Sequence, residues 1–290
     1  MSTFVDLTWK GEGDLALCAR DYAPTSSGPA RCPVICIHGL TRNSADFEDV
    51  APWIAQQGRR VIAVDIRGRG RSARDPDPAR YNPKVYCADV LRLMDAAGIS
   101  RAVFIGTSMG GIITMAIAAR RLSAIAGAVL NDVGPIISMK GLERIKGYVG
   151  KGGPVQSWDD AAAFIQSING VAFPENTKED WLRFARRTFR EEGGKFVLDY
   201  DPKISQAIQG GQVRNTSLIA KLLYKRLAKN RPTLLIRGGN YDIVGPEEAQ
   251  YMRSAVPSLR YAEVPGVGHA PMLTEPAARE ALKSFLADVA

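Results

Sequence analysis

The sequence predicts an α/β protein in which a mostly parallel central sheet is flanked by helices and interrupted by a helical insertion. Three observations carry this. Short apolar runs alternate with helix-compatible stretches through the first half of the chain, the pattern of a parallel sheet covered on both faces. The alternation stops at about residue 135 and resumes near 230. Between one strand and the following helix lies Gly106-Thr107-Ser108-Met109-Gly110, a turn of small residues around a serine.

The strands follow from composition and length. Val34-Ile35-Cys36-Ile37, Val61-Ile62-Ala63-Val64 and Ala102-Val103-Phe104-Ile105 are short, β-branched or aromatic, and end at Gly, Asp or His. Such runs suit strands buried on both faces. Gly127 to Leu130, Pro232 to Ile236 and Leu259 to Val264 continue the series. Helices are expected over Phe47 to Gln57, Pro83 to Ala97, Gly110 to Leu122 and Pro276 to Val289. Within the insertion, the spacing predicts helices over Trp158 to Ile168, Lys178 to Glu191 and Ser217 to Ala228, separated by glycine-rich breaks. Trp158, Phe164, Trp181, Phe184 and Phe189 are expected mainly in the insertion's own core, because helix-spaced aromatics pack inward.

Composition narrows the function. The 290 residues are 46% hydrophobic and 23% charged, an ordinary globular balance. The net charge of +8 is dispersed along the chain, which argues against nucleic acid and leaves an attraction for anionic substrates or surfaces. The four cysteines form no C-x-x-C pair, and two histidines cannot build a Cys/His zinc cluster, so no metal or cofactor is expected. No run approaches the roughly 18 apolar residues of a membrane span, and Met1 to Asp6 lacks a basic, then apolar, leader. A cytoplasmic protein with reduced thiols is the expectation. The oligomeric state leaves no readable mark.

The chemistry starts at Ser108. A serine at a tight strand-to-helix turn is held in strained backbone, and small neighbours let the two elements approach, leaving Oγ exposed beside a helix N-terminus. A serine hydroxyl needs a base, usually histidine. His38 and His269 are the two available. His269 lies in Gly266-Val267-Gly268-His269-Ala270, a loop of small residues that lets an imidazole project, whereas His38-Gly39-Leu40 forms a turn better suited to presenting a backbone N–H. A carboxylate should hold the histidine. Asp242, after the Leu234 to Ile236 strand, is the preferred candidate, and Asp132, in Leu130-Asn131-Asp132-Val133, is its rival.

His38-Gly39-Leu40, Asp65-Ile66-Arg67-Gly68-Arg69-Gly70-Arg71-Ser72, Gly106 to Gly110, Gly238 to Asp242 and Gly268-His269 together resemble the α/β-hydrolase superfamily over most of the chain. The resemblance implies a triad in the order Ser108, Asp242, His269, and an oxyanion hole from the N–H groups of Leu40 and Met109. It implies that Asp65 and Ser72 shape a turn, with the neighbouring arginines structural or on the surface. It also implies a hydrolase core over 1–134 and 230–290 and a helical cap, or lid, over 135–229. Arg42, Trp158 and Trp181 are then candidates for substrate binding.

The activity so implied is that of a serine esterase or lactonase: hydrolysis of a small-molecule carboxylic ester or lactone through an acyl-enzyme. Haloalkane dehalogenases and epoxide hydrolases place aspartate where this chain has Ser108, and dienelactone hydrolases place cysteine there. Carbon–carbon bond hydrolases of the meta-cleavage-product type keep the serine but often carry Asn where this chain has Thr107. They remain open, as do cofactor-free perhydrolase or haloperoxidase-like activities. The competing class is a non-catalytic, ligand-binding member of the same superfamily.

Overall fold

The computed structural model describes residues 4–26, 30–209, 216–241 and 243–289. The chain opens with strands β1 (Val5–Lys10), β2 (Ala16–Tyr22) and β3 (Val34–Ile37), then helix α1 (Val50–Ala55), β4 (Val61–Asp65) and α2 (Pro83–Ala96). There follow β5 (Ala102–Thr107), α3 (Met109–Arg120) and β6 (Ile125–Asn131). The insertion holds α4 (Met139–Tyr148), α5 (Trp158–Asn169), α6 (Lys178–Arg186), β7 (Phe189–Glu192), β8 (Lys195–Leu198), α7 (Ile204–Gln209) and α8 (Leu218–Asn230). The chain closes with β9 (Thr233–Gly238), α9 (Pro246–Ala255), β10 (Arg260–Val264) and α10 (Pro276–Asp288).

Eight of these strands form one sheet in the order β1-β2-β4-β3-β5-β6-β9-β10. From β4 to β10 neighbouring strands run parallel, while β1 and β2 add an antiparallel edge. Strands β3, β4 and β6 are buried along their whole length, so their continuous apolar runs are what two covered faces require. One apolar cluster gathers Ile35, Phe104, Ile113 and Leu130 on one face, and another gathers Val34, Val103, Ile105 and Phe285 on the other. Among the described residues, no helix is long and apolar enough to cross a membrane.

The helix expected to reach Glu191 ends at Arg186, and the chain turns into the β7–β8 hairpin. Gly193 and Gly194 both have positive φ, 60° and 74°, the conformation a two-residue hairpin turn demands. The expected insertion also divides. α5, α6 and β7 share a cluster of their own around Phe173, Trp181, Phe184 and Phe189. α8 instead packs on α3, buries Tyr224 and Leu227 in the core of the sheet, and is tied to α9 by the Tyr224 hydroxyl donating to Met252 O at 2.8 Å.

The Asp65 to Ser72 segment is a turn held from inside. Asp65 accepts from the N–H groups of Ser44 (2.7 Å) and Arg71 (3.2 Å), and the Ser72 hydroxyl donates to Asp65 O at 2.5 Å. Arg67 is fully buried, with its guanidinium on Asp89 at 2.6 and 2.7 Å and on Asp75. Two carboxylates around one buried cation offset much of the desolvation that such a charge incurs. Arg67 therefore fixes the fold, and only Arg71, paired with Asp6, reaches the surface.

Candidate active site

Strand β5 ends at Thr107, and Ser108 stands between it and α3 with φ 51° and ψ −113°, a backbone conformation that costs energy for a residue bearing a Cβ. The two flanking glycines make the turn possible. A Cβ on Gly106 would lie 2.5 Å from the backbone of Gly110, and a Cβ on Gly110 would lie 2.1 Å from Ile37 O. The strand and helix can close this tightly only without those side chains.

Ser108 Oγ lies 3.0 Å from His269 Nε2, and His269 Nδ1 lies 2.8 Å from Asp132 Oδ2. The other oxygen of Asp132 accepts from Gly238 N–H at 3.1 Å, and the Asp132 N–H donates to Ile236 O at 2.7 Å. The end of β9 thus grips both the backbone and the side chain of a fully buried aspartate. An ionised carboxylate only accepts, so His269 carries its proton on Nδ1 and leaves Nε2 to accept from the serine hydroxyl.

The carboxylate on His269 is therefore Asp132, the residue expected as the rival acid. Asp242, the preferred one, lies outside the described residues. Adjacency of strands explains the placement: β5 and β6 pair with Thr107 opposite Asn131, so the next residue of each strand, Ser108 and Asp132, emerges on the same sheet edge. Asn131 reinforces it. Its side-chain amide nitrogen donates to Thr107 Oγ1 (3.0 Å) and to Pro271 O (2.8 Å), and its backbone carbonyl accepts from Ser108 N–H (3.0 Å). One buried residue thus ties the serine turn to the histidine loop.

The loop after β3 passes beside the serine, close enough that a Cβ on Gly39 would stand 3.8 Å from Ser108 Cβ. Met109 is the first residue of α3, so its N–H has no carbonyl a turn back to bond. Two buried side chains fix the opposite loop. His38 donates from Nδ1 to Gly39 O at 2.7 Å, holding the peptide that carries the Leu40 N–H, and accepts at Nε2 from Ile66 N–H at 3.1 Å. Arg69, also buried, donates to Leu40 O at 2.9 Å and reaches Met109 Sδ at 3.6 Å. The sequence offered no signal for these roles beyond the place of Arg69 in the Asp65 to Ser72 turn and of Asn131 at the end of β6.

Burial pushes the His38 imidazole down from its ordinary 6.5 to about 4. The native state holds it neutral, so its contribution to stability is complete above pH 6.5 and is lost as pH falls through about 4. A fall of this size corresponds to roughly 3 kcal/mol. In urea titrations between pH 8 and pH 4, the stability advantage of the wild type over His38→Gln should shrink by about that amount. Parallel profiles would refute the assignment.

Above the serine is a cavity of about 110 Å³ between the sheet edge and the insertion. Its apolar lining includes Phe164, Ile165, Phe173 and Phe184. Arg42 lines it too, but its guanidinium is already committed to Asp46 and Thr188 and stacks over Phe184 at 4.2 Å. The two candidate tryptophans do not line it. Trp158 packs on Phe196 at 4.4 Å, and Trp181 lies buried against Phe184, 6.1 Å between ring centres. Trp181 thus supports the aromatic wall from behind. Among the described residues, no group of three or more His, Cys, Asp or Glu side chains is gathered for a metal.

Residues 33–276 match the family model of the alpha/beta hydrolase fold. The chain is 30% identical over 249 residues to the 3-hydroxybutyrate-oligomer hydrolase of Cupriavidus necator, covering 84% of each chain. It is 27% identical over 258 residues to the 2-(acetamidomethylene)succinate hydrolase of Mesorhizobium japonicum, covering 88% of this chain and 87% of that one. Among solved structures, an alpha/beta hydrolase from Novosphingobium aromaticivorans superposes with a TM-score of 0.91 at 39% identity, covering 99% of both chains.

Proposed function

From the premise that this chain belongs to the alpha/beta hydrolase family, we propose that it hydrolyses a carboxylic ester or lactone through a covalent intermediate on Ser108. The observation that carries this reading is the continuous line from Ser108 Oγ through His269 to Asp132, with links of 3.0 and 2.8 Å. Hydrogen bonds of that length let the imidazole take a proton as the oxygen attacks. The likeness to a relative named for 3-hydroxybutyrate oligomers, whose repeating bond is an ester, supports the same bond type.

In this mechanism Ser108 Oγ forms a bond to the substrate carbonyl carbon as its proton passes to His269 Nε2. The carbonyl oxygen becomes an oxyanion held by the N–H groups of Leu40 and Met109, each worth about 3 kcal/mol in the transition state. Collapse breaks the ester C–O bond, and His269 returns the proton to the departing alcohol. Water then attacks the acyl-enzyme, giving its proton to Nε2, and the second collapse frees the acid while Ser108 regains its hydrogen. Asp132 stabilises the imidazolium in both halves and keeps the ring in the required tautomer.

Treatment with a fluorophosphonate followed by peptide mass spectrometry should place one label on Ser108. A label on another residue, or none, would overturn the mechanism.

A further inference from the structure

The loop that carries Leu40 is tied to the insertion through one side chain. His38 Nδ1 (2.7 Å) and the Arg42 N–H (3.3 Å) both donate to Gly39 O. In a trans peptide the carbonyl and the N–H point opposite ways, so two donors on Gly39 O aim the Leu40 N–H away from them. Arg42 also touches this peptide with its stem: a Cβ on Gly39 would lie 3.5 Å from Arg42 Cγ and 3.8 Å from Ser108 Cβ. The far end of the same side chain is anchored elsewhere. Its Nε donates to both oxygens of Asp46 at 3.0 Å, Nη2 joins the same carboxylate, and Nη1 donates to Thr188 Oγ1. Thr188 stands between α6 and β7, and its own hydroxyl donates to Phe184 O at 2.8 Å. The guanidinium lies over the Phe184 ring. Beside it, Asn43 Nδ2 donates to Arg187 O and Asp199 Oδ2, each at 3.0 Å, so two successive residues of the loop grip the same end of the insertion.

We propose that Arg42 is a positioning residue for the oxyanion hole: held by Asp46, Thr188 and Phe184, it fixes the Gly39–Leu40 peptide, so the α6–β7 end of the insertion takes part in oxyanion stabilisation from a distance. This rests on the reading of Ser108 as the nucleophile and of the Leu40 N–H as an oxyanion donor. A planar guanidinium suits the task, because its fork fixes direction as well as charge. The Arg42 and Asp46 side chains are only 15% and 14% exposed, so water screens their pairing far less than at an open surface. Removing an oxyanion donor outright costs on the order of 10²- to 10³-fold in kcat, and misaiming one forfeits a share of that.

Hexyl trifluoromethyl ketone reads the hole directly. Ser108 Oγ adds to its carbonyl carbon, the serine proton passes to His269 Nε2, and the ketone oxygen becomes the oxyanion. In Arg42→Gln its Ki should rise about tenfold, and kcat/KM for p-nitrophenyl acetate should fall by the same factor, through kcat with KM within about twofold. Thr188→Val keeps the residue's shape but loses the acceptor on the insertion side, and it should move both quantities together by about threefold. If Arg42→Gln does not fold, Thr188→Val alone decides. A raised KM at unchanged kcat would make Arg42 a substrate contact, and a lowered Tm with Ki and kcat unchanged would leave it a purely structural residue. Either result overturns the proposal, as does an effect confined to Arg42→Gln. The parent protein separates this failure from that of the nucleophile: ketone inhibition that the variants leave intact removes the role of Arg42 alone, whereas no inhibition and no turnover in the parent removes the reading of Ser108 with it.

Discussion

Ser108→Ala is expected to lower kcat for ester hydrolysis by about 10⁴- to 10⁶-fold while leaving KM within a few-fold. The atom removed forms a bond in the transition state but contributes little to holding the ground-state ester. Alanine keeps the Cβ that the φ of 51° already accommodates, so the turn imposed by Gly106 and Gly110 persists and the variant folds as the parent does. The remaining rate belongs to water attacking an ester polarised by the Leu40 and Met109 N–H groups. Steady-state kinetics on a cleaved ester, with thermal unfolding as the control, decide it. Near-parental kcat in a folded variant would remove Ser108 from the chemistry.

The second large effect falls on the acid. Asp132→Asn should cost about 10⁴-fold in kcat, through a proton on the wrong nitrogen. Oδ1 accepts from Gly238 N–H, so the substituted amide keeps its oxygen there and turns its NH₂ toward His269 Nδ1. An amide donor forces Nδ1 to accept, which moves the imidazole hydrogen to Nε2, where it blocks proton transfer from Ser108. Asp242→Asn is the companion measurement, with kcat expected within a few-fold of the parent. Loss of activity in Asp242→Asn with activity retained in Asp132→Asn would reverse the assignment.

This contrast marks where sequence reading reaches its limit. Strands β3 to β6 were legible because burial on both faces writes itself as unbroken apolar runs. β1 and β2 were not. They pair at an edge, and their alternating, partly polar residues resemble a loop. The serine turn was legible because its glycines are dictated locally, by contacts between residues four apart and with the neighbouring strand. The acid depends on which strands lie side by side, and both Asp132 and Asp242 satisfy the chain order serine, aspartate, histidine. Only the sheet order sets Asp132 next to Ser108. The aromatic residues follow the same logic. Helical spacing marks Trp158 and Trp181 as inward-facing, but which of two inner surfaces they meet is decided by how α5 and α6 pack.

Asn131 joins the strand that carries the acid to the turn that carries the serine and to the loop that carries the histidine. Those three parts come from distant stretches of chain, and each is bonded to one buried asparagine at the end of β6, through its backbone carbonyl or its side-chain nitrogen. The alignment of Ser108, His269 and Asp132 is thereby anchored in the sheet itself, so the proposed chemistry depends on a strand end as much as on the loops around it.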